Sequence, residues 1–212
     1  MEDRMACEKD PPMQLQARVL GVSALVGAVG GAIFLFVFPK GSITTLMHHV
    51  LGLPGPGAGI ALILGPVALV FILLSSHLVR RTGSALVTAL GFSITYAALA
   101  AIVGLPTNEK GAFGSLWFIL GLATCGIVAE GMLFLTRSLK PQWRWLLTAC
   151  CANLALLIFC WTVIFPRTKG WVSWDAVPML LANALAGGLV AGIVGRGIST
   201  RLPGLTGPGQ RR

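Results

Sequence analysis

The sequence predicts an all-α integral membrane protein of six transmembrane helices with both termini cytoplasmic. Three observations carry this. Six apolar stretches cover roughly 19–38, 58–79, 83–104, 113–135, 145–165 and 176–198. A helix needs about 20 apolar residues to cross the hydrocarbon core, and each stretch supplies that length. The composition is 55% hydrophobic and 11% charged, which a soluble chain of 212 residues would not show. Finally, basic residues alternate between rich and poor loops. Barrel strands are the poorer reading, because the stretches are long and lack period-two alternation.

Orientation follows from the third observation. One set of loops and ends holds Arg4, Lys9, Arg18, Arg80, Arg81, Arg137, Lys140, Arg144, Arg196, Arg201, Arg211 and Arg212. The other holds Lys40, Lys110, Arg167 and Lys169. Lys and Arg concentrate on the cytoplasmic side, so the first set is placed inside. The domain reading is a cytoplasmic arm over 1–17, a membrane domain over 18–202 and a cytoplasmic tail over 203–212. The net charge of +9 reflects this bias and contacts with anionic lipid, not nucleic-acid binding. Residues 1–17 are polar and mixed in charge, and the first apolar run is long enough to remain as a helix, so no cleavable leader is expected.

The first helix carries small residues at spacing four, Ala24, Ala28 and Ala32, with Gly27 and Gly31 beside them. Such a ladder lets another helix approach closely, because packing holds helices together in lipid. It serves either its own bundle or a second membrane subunit. Residues 39–57 form a long, patterned outer connection that reads as a lid or re-entrant segment, broken by Leu53-Pro54-Gly55-Pro56-Gly57. His48 and His49 lie there. Neighbouring helical side chains diverge by about 100°, so the pair does not favour a shared metal.

The fourth helix holds Glu130, an acidic residue read as lying well inside the membrane. A charge at depth faces the bundle or a cavity, so Glu130 is a ligand contact or an internal hydrogen-bond anchor. Asn153 falls near mid-depth of the fifth helix and Asn183 in the outer half of the sixth. Trp161, Trp171, Trp174 and Asp175 collect at the outer side. Aromatic walls with a few polar hooks suit a flat heterocyclic ligand. Trp143 and Trp145 are sufficiently explained as interfacial anchors. The last helix carries a second ladder, Ala184, Gly188 and Gly192.

Cys125, Cys150, Cys151 and Cys160 lie in membrane segments and read as small apolar residues. The chain has no GxxxxGK[ST], HExxH or GxSxG. It is therefore not expected to hydrolyse ATP or to be an enzyme, and no cofactor or metal is implied.

Together these features resemble the substrate-binding S component of an energy-coupling factor (ECF) vitamin transporter, over residues 18–202. The resemblance rests on the six-helix plan, the Ala24–Ala28–Ala32 ladder and the patterned outer loop. The runs Arg81-Thr82-Gly83-Ser84-Ala85-Leu86-Val87, Gly121–Phe134 and Ala186–Gly192 are similar to the thiamine-precursor (hydroxymethylpyrimidine, YkoE-like) branch. The resemblance implies a high-affinity binding subunit for a small water-soluble vitamin or precursor in the cell membrane. Its partners would be a transmembrane T subunit and cytosolic ATPase subunits. Ala24, Ala28 and Ala32 would dock on the T subunit. His48, Trp117, Glu130, Asn153, Asn183 and Trp174 would hold the substrate in the outer half. A structural or assembly subunit of a membrane complex explains the ladders without any ligand, and a small membrane enzyme lacks the polar cluster it would need.

Overall fold

The computed structural model describes residues 12–38, 52, 57–103, 116–168 and 173–202. Helix α1 runs Pro12–Val37. A π-helical turn, Ile60–Leu64, leads into α2, Gly65–Val79. Helices α3, Ser84–Ile102, and α4, Leu116–Leu135, follow. Helix α5, Pro141–Phe159, continues through a second π-helical turn, Cys160–Ile164, into the short α6, Phe165–Thr168. A 3-10 turn, Trp174–Ala176, opens α7, Val177–Ser199. No strand occurs among the described residues.

Six of these segments are long and apolar enough to cross a membrane: Leu20–Val37, Ile60–Val79, Ser84–Ile102, Leu116–Leu135, Pro141–Ile164 and Trp174–Ser199. They coincide with the six expected stretches to within a few residues. Helix α1 starts earlier, at Pro12, so helix already occupies part of the stretch read as an arm. Proline suits a first helical turn, where its missing N–H has no intrahelical acceptor anyway.

Both π-helical turns end just before a proline, Pro66 and Pro166. Each has the same cause. The N–H of Gly65 bonds the carbonyl of Ile60, five residues back. Pro66 has no N–H, so Ala61 finds no donor at position 65 or 66 of its own helix. The N–H of Phe165 likewise bonds Cys160, ahead of Pro166. Such turns survive in lipid only where a neighbour satisfies the freed carbonyl.

Close packing is set by glycine. Helices α1 and α3 lie side by side, running the same way. A Cβ at Gly27 would overlap the Thr88 carbonyl, and one at Gly31 the Phe92 carbonyl. The Thr88 hydroxyl donates across this seam to the Ser23 carbonyl at 3.1 Å. Helix α7 approaches α5 equally closely: a Cβ at Gly188 would stand 2.6 Å from the Cys150 Cα. The ladder Ala184, Gly188, Gly192 is buried in this internal contact. Between the seams lies an apolar core that includes Phe34, Phe92, Leu69, Ile72 and Leu122.

Candidate functional site

The two ends of the bundle differ in chemistry. The far end is the one at which α4 and α7 begin. The terminal end is the one at which α1 begins and α7 finishes.

In the middle, Asn153 is fully buried on α5. Its Nδ2 donates to the carbonyls of Ala61 and Ala184, each at 2.8 Å. The first of these is the carbonyl that Pro66 leaves without a partner. A Cβ at Gly65 would overlap the Asn153 Oδ1, so glycine there makes room for the amide. Asn153 thus ties α5 to the π-helical turn and to α7. Both hydrogens of its amide are taken by the scaffold.

Toward the far end, two donors are left over. The Nδ2 of Asn183 and the Nε1 of Trp161 are buried and have no hydrogen-bond partner among the described residues. Both lie at the level where the second span begins. Gly187 packs on Ala61, and one turn earlier on both helices stand Asn183 and Gly57. A Cβ at Gly57 would come within 3.4 Å of the Trp161 Nε1. Trp117 packs half-buried against the core at the start of α4. The Tyr96 and Phe118 rings, on α3 and α4, stand 5.3 Å apart, Phe118 being next in the chain to Trp117. Unpaired buried donors are costly, and their retention marks a place where an acceptor is missing.

The remaining expectations are distributed differently. Trp174 is on the far end but 77% exposed, so it lines no enclosed space in this conformation. His48, His49, Trp171 and most of the connection over 39–57 lie outside the described residues, as does the connection over 105–114.

Glu130, expected as a ligand contact or an internal hydrogen-bond anchor, lies in the terminal half. It sits five residues before the end of α4, which is about 8 Å of helix from the terminal end. Its Oε1 accepts from the Gly83 N–H at 2.9 Å and its Oε2 from the Ala85 N–H at 3.1 Å. The carboxylate caps the first turn of α3, where unsatisfied N–H groups and the helix dipole favour negative charge. Gly83 has φ +91°, a conformation that glycine adopts without strain, and this turns its N–H toward Glu130. The run Arg81–Val87, noted in the sequence, owes its pattern at least in part to this cap.

Ala24, Ala28 and Ala32 are half-buried at the edge of the α1–α3 seam. Gly27 and Gly31, beside them, do the internal packing. Outward from the alanines, α1 exposes Leu25, Val29, Ile33 and Phe36.

Searches of protein families and of curated proteins find no match to this chain. Among solved structures, a crystal structure of an S-component of an ECF transporter superposes with TM-score 0.63. The two share 19% identity, over 87% of this chain and 83% of that one. The fold is that of an ECF S component. In this S-component fold the unpartnered Asn183 and Trp161 donors fall in one half and Glu130, with Arg80, Arg81, Arg137, Arg144 and Arg196, in the other. Sequence reasoning named Asn183 and placed Trp161 in the outer aromatic wall, without marking its N–H as a polar contact. The available signal was Pro166, which forces the π-helical turn that carries Trp161.

Proposed function

We propose that this chain is the substrate-binding subunit of an ECF-type importer in the cell membrane, taking up a small water-soluble vitamin or precursor of the thiamine/hydroxymethylpyrimidine kind. The reading is supported by the S-component fold and by one observation above all: Asn183 Nδ2 and Trp161 Nε1 are buried donors without acceptors among the described residues, in the same half of the bundle. A heteroaromatic ring with nitrogen or hydroxyl acceptors complements them, and Trp117 offers an aromatic surface. His48 and Trp174 join this site in the proposal, as parts of the connections that would cover it. Asn153 serves as the floor that holds α5 and α7 in place. Glu130 holds the opposite end together and does not touch substrate.

Transport in this account involves no covalent chemistry. Substrate enters from the far end, which the basic-residue bias places outside. The α1 face bearing Ala24, Ala28 and Ala32 docks on a transmembrane T subunit, and cytosolic ATPase subunits supply the energy. The flanking apolar side chains Leu25, Val29 and Ile33 suit either lipid or a helical partner. The test is uptake. Cells lacking their own vitamin import, expressing this chain with T and ATPase subunits, should accumulate labelled thiamine or hydroxymethylpyrimidine. Accumulation of no vitamin in a panel, with the complex assembled, would contradict the reading.

A further inference from the structure

The terminal end differs in chemistry from the far end. A cleft of about 930 Å³ opens there between the ends of α2, α4 and α7 and the starts of α3 and α5. Ligand sites commonly occupy about 300–1,000 Å³. Five arginines line it: Arg80, Arg81, Arg137, Arg144 and Arg196. The facing groups from every wall are His77 on α2, Glu130 on α4 and these guanidiniums. Glu130 is the one carboxylate among the lining residues, and both its oxygens are engaged by backbone N–H groups of α3.

The guanidiniums are incompletely used. Arg144 donates through one terminal nitrogen to the Leu133 carbonyl at 2.8 Å, while its Nε is buried without a partner among the described residues. Arg196 reaches the Gln142 side chain at 3.3 Å. Arg137 stacks over the Phe134 ring at 5.0 Å. Arg80 is held at φ +50°, the left-handed conformation in which glycine is the unstrained choice. There its backbone ends α2, the N–H bonding the Ser76 carbonyl, and its side chain turns into the cleft lining.

The rest of the lining is apolar: Leu73, Leu133, Phe134, Leu139 and Trp145. A free phosphate would have no use for such walls. An amphipathic anion would. The cleft also sits at the level where the spans end, beside the exposed Trp143. That is the depth of lipid headgroups.

We propose that this cleft is a specific binding site for the phosphate of an anionic phospholipid, with the arginines on the phosphate and the apolar walls on the glycerol and upper acyl chain. Arginine suits this role because its planar fork binds phosphate oxygens in pairs. The proposal does not depend on the identity of the transported substrate.

The full chain in uncharged detergent would be titrated with short-chain phosphatidylglycerol, short-chain phosphatidylcholine and inorganic phosphate. Retained adducts are counted by native mass spectrometry, and the thermal midpoint is followed alongside. The expected result is one retained phosphatidylglycerol that raises the midpoint, with no effect of phosphatidylcholine or of millimolar phosphate. The double substitution R81Q/R137Q, at two exposed positions, should weaken binding at least tenfold. R201Q, at the same end but outside the cleft, should change it less than twofold. Equal retention of phosphatidylcholine, saturation by phosphate alone, or equal loss in R201Q would each overturn the proposal.

Discussion

The Asn153 amide donates to the Ala61 carbonyl across 92 positions of sequence, and it does so because Pro66 cannot. This pairing gives the bundle a polar tie at mid-depth. Replacing Asn153 by Ala strands the Ala61 carbonyl and opens a small cavity. The expected cost is about 1–3 kcal/mol, given that buried hydrogen bonds in membrane bundles are worth less than isolated ones suggest. Pro66→Ala restores an N–H that can serve Ala61. The double variant should therefore be more stable than the sum of the single effects predicts, as read by thermal unfolding in detergent. Strict additivity would show that proline and asparagine are unrelated.

Glu130 is expected to behave as a cap. Glu130→Ala should lower stability by about 1–2 kcal/mol, the usual cost of losing a charged N-terminal cap. Substrate affinity should change less than threefold. A large loss of affinity with stability intact would return Glu130 to the binding site.

The first helix separates packing from docking. At Gly27 an added Cβ meets backbone of α3, which cannot swing aside, so Gly27→Val should prevent stable folding. Ala28 is only half-buried at the edge of the seam. Ala28→Leu should leave folding and substrate binding unchanged and abolish uptake with T and ATPase subunits. Retained uptake would place the docking face elsewhere.

The six spans were legible in the sequence because lipid imposes a length and a composition that little else satisfies. The reading of Asn183 as a far-half residue was legible for the same reason: position along a span is depth. Glu130 stayed open between ligand contact and internal hydrogen bond, because an acidic residue in an apolar run suits both. Its two acceptor contacts come from the start of a neighbouring helix, which the pattern of its own span does not reveal. Asn153 could be seen as a polar residue at mid-depth, but its partner depends on a proline in another span. The two ladders looked alike in sequence. Contact with α5 shows that Ala184, Gly188 and Gly192 face inward, whereas Ala24, Ala28 and Ala32 flank the glycines that do.

The two unpaired donors yield a signature of their own. Trp161→Phe removes an unsatisfied N–H while keeping most of the ring. It should leave the empty protein as stable as before or raise its thermal midpoint, since a buried donor without acceptor costs about 1–3 kcal/mol. The same change should weaken substrate binding about tenfold or more, the worth of one well-placed hydrogen bond in a dry site. Loss of stability without loss of affinity would make Trp161 a structural residue.

The most direct test of the account is calorimetric titration of the purified chain in lipid nanodiscs with thiamine, hydroxymethylpyrimidine and the other water-soluble vitamins, repeated on Asn183→Leu. The account predicts one saturable site of nanomolar affinity for a heteroaromatic member of the panel, weakened at least tenfold by the substitution. Binding of none of them by the folded protein, or binding that Asn183→Leu leaves unchanged, would contradict it.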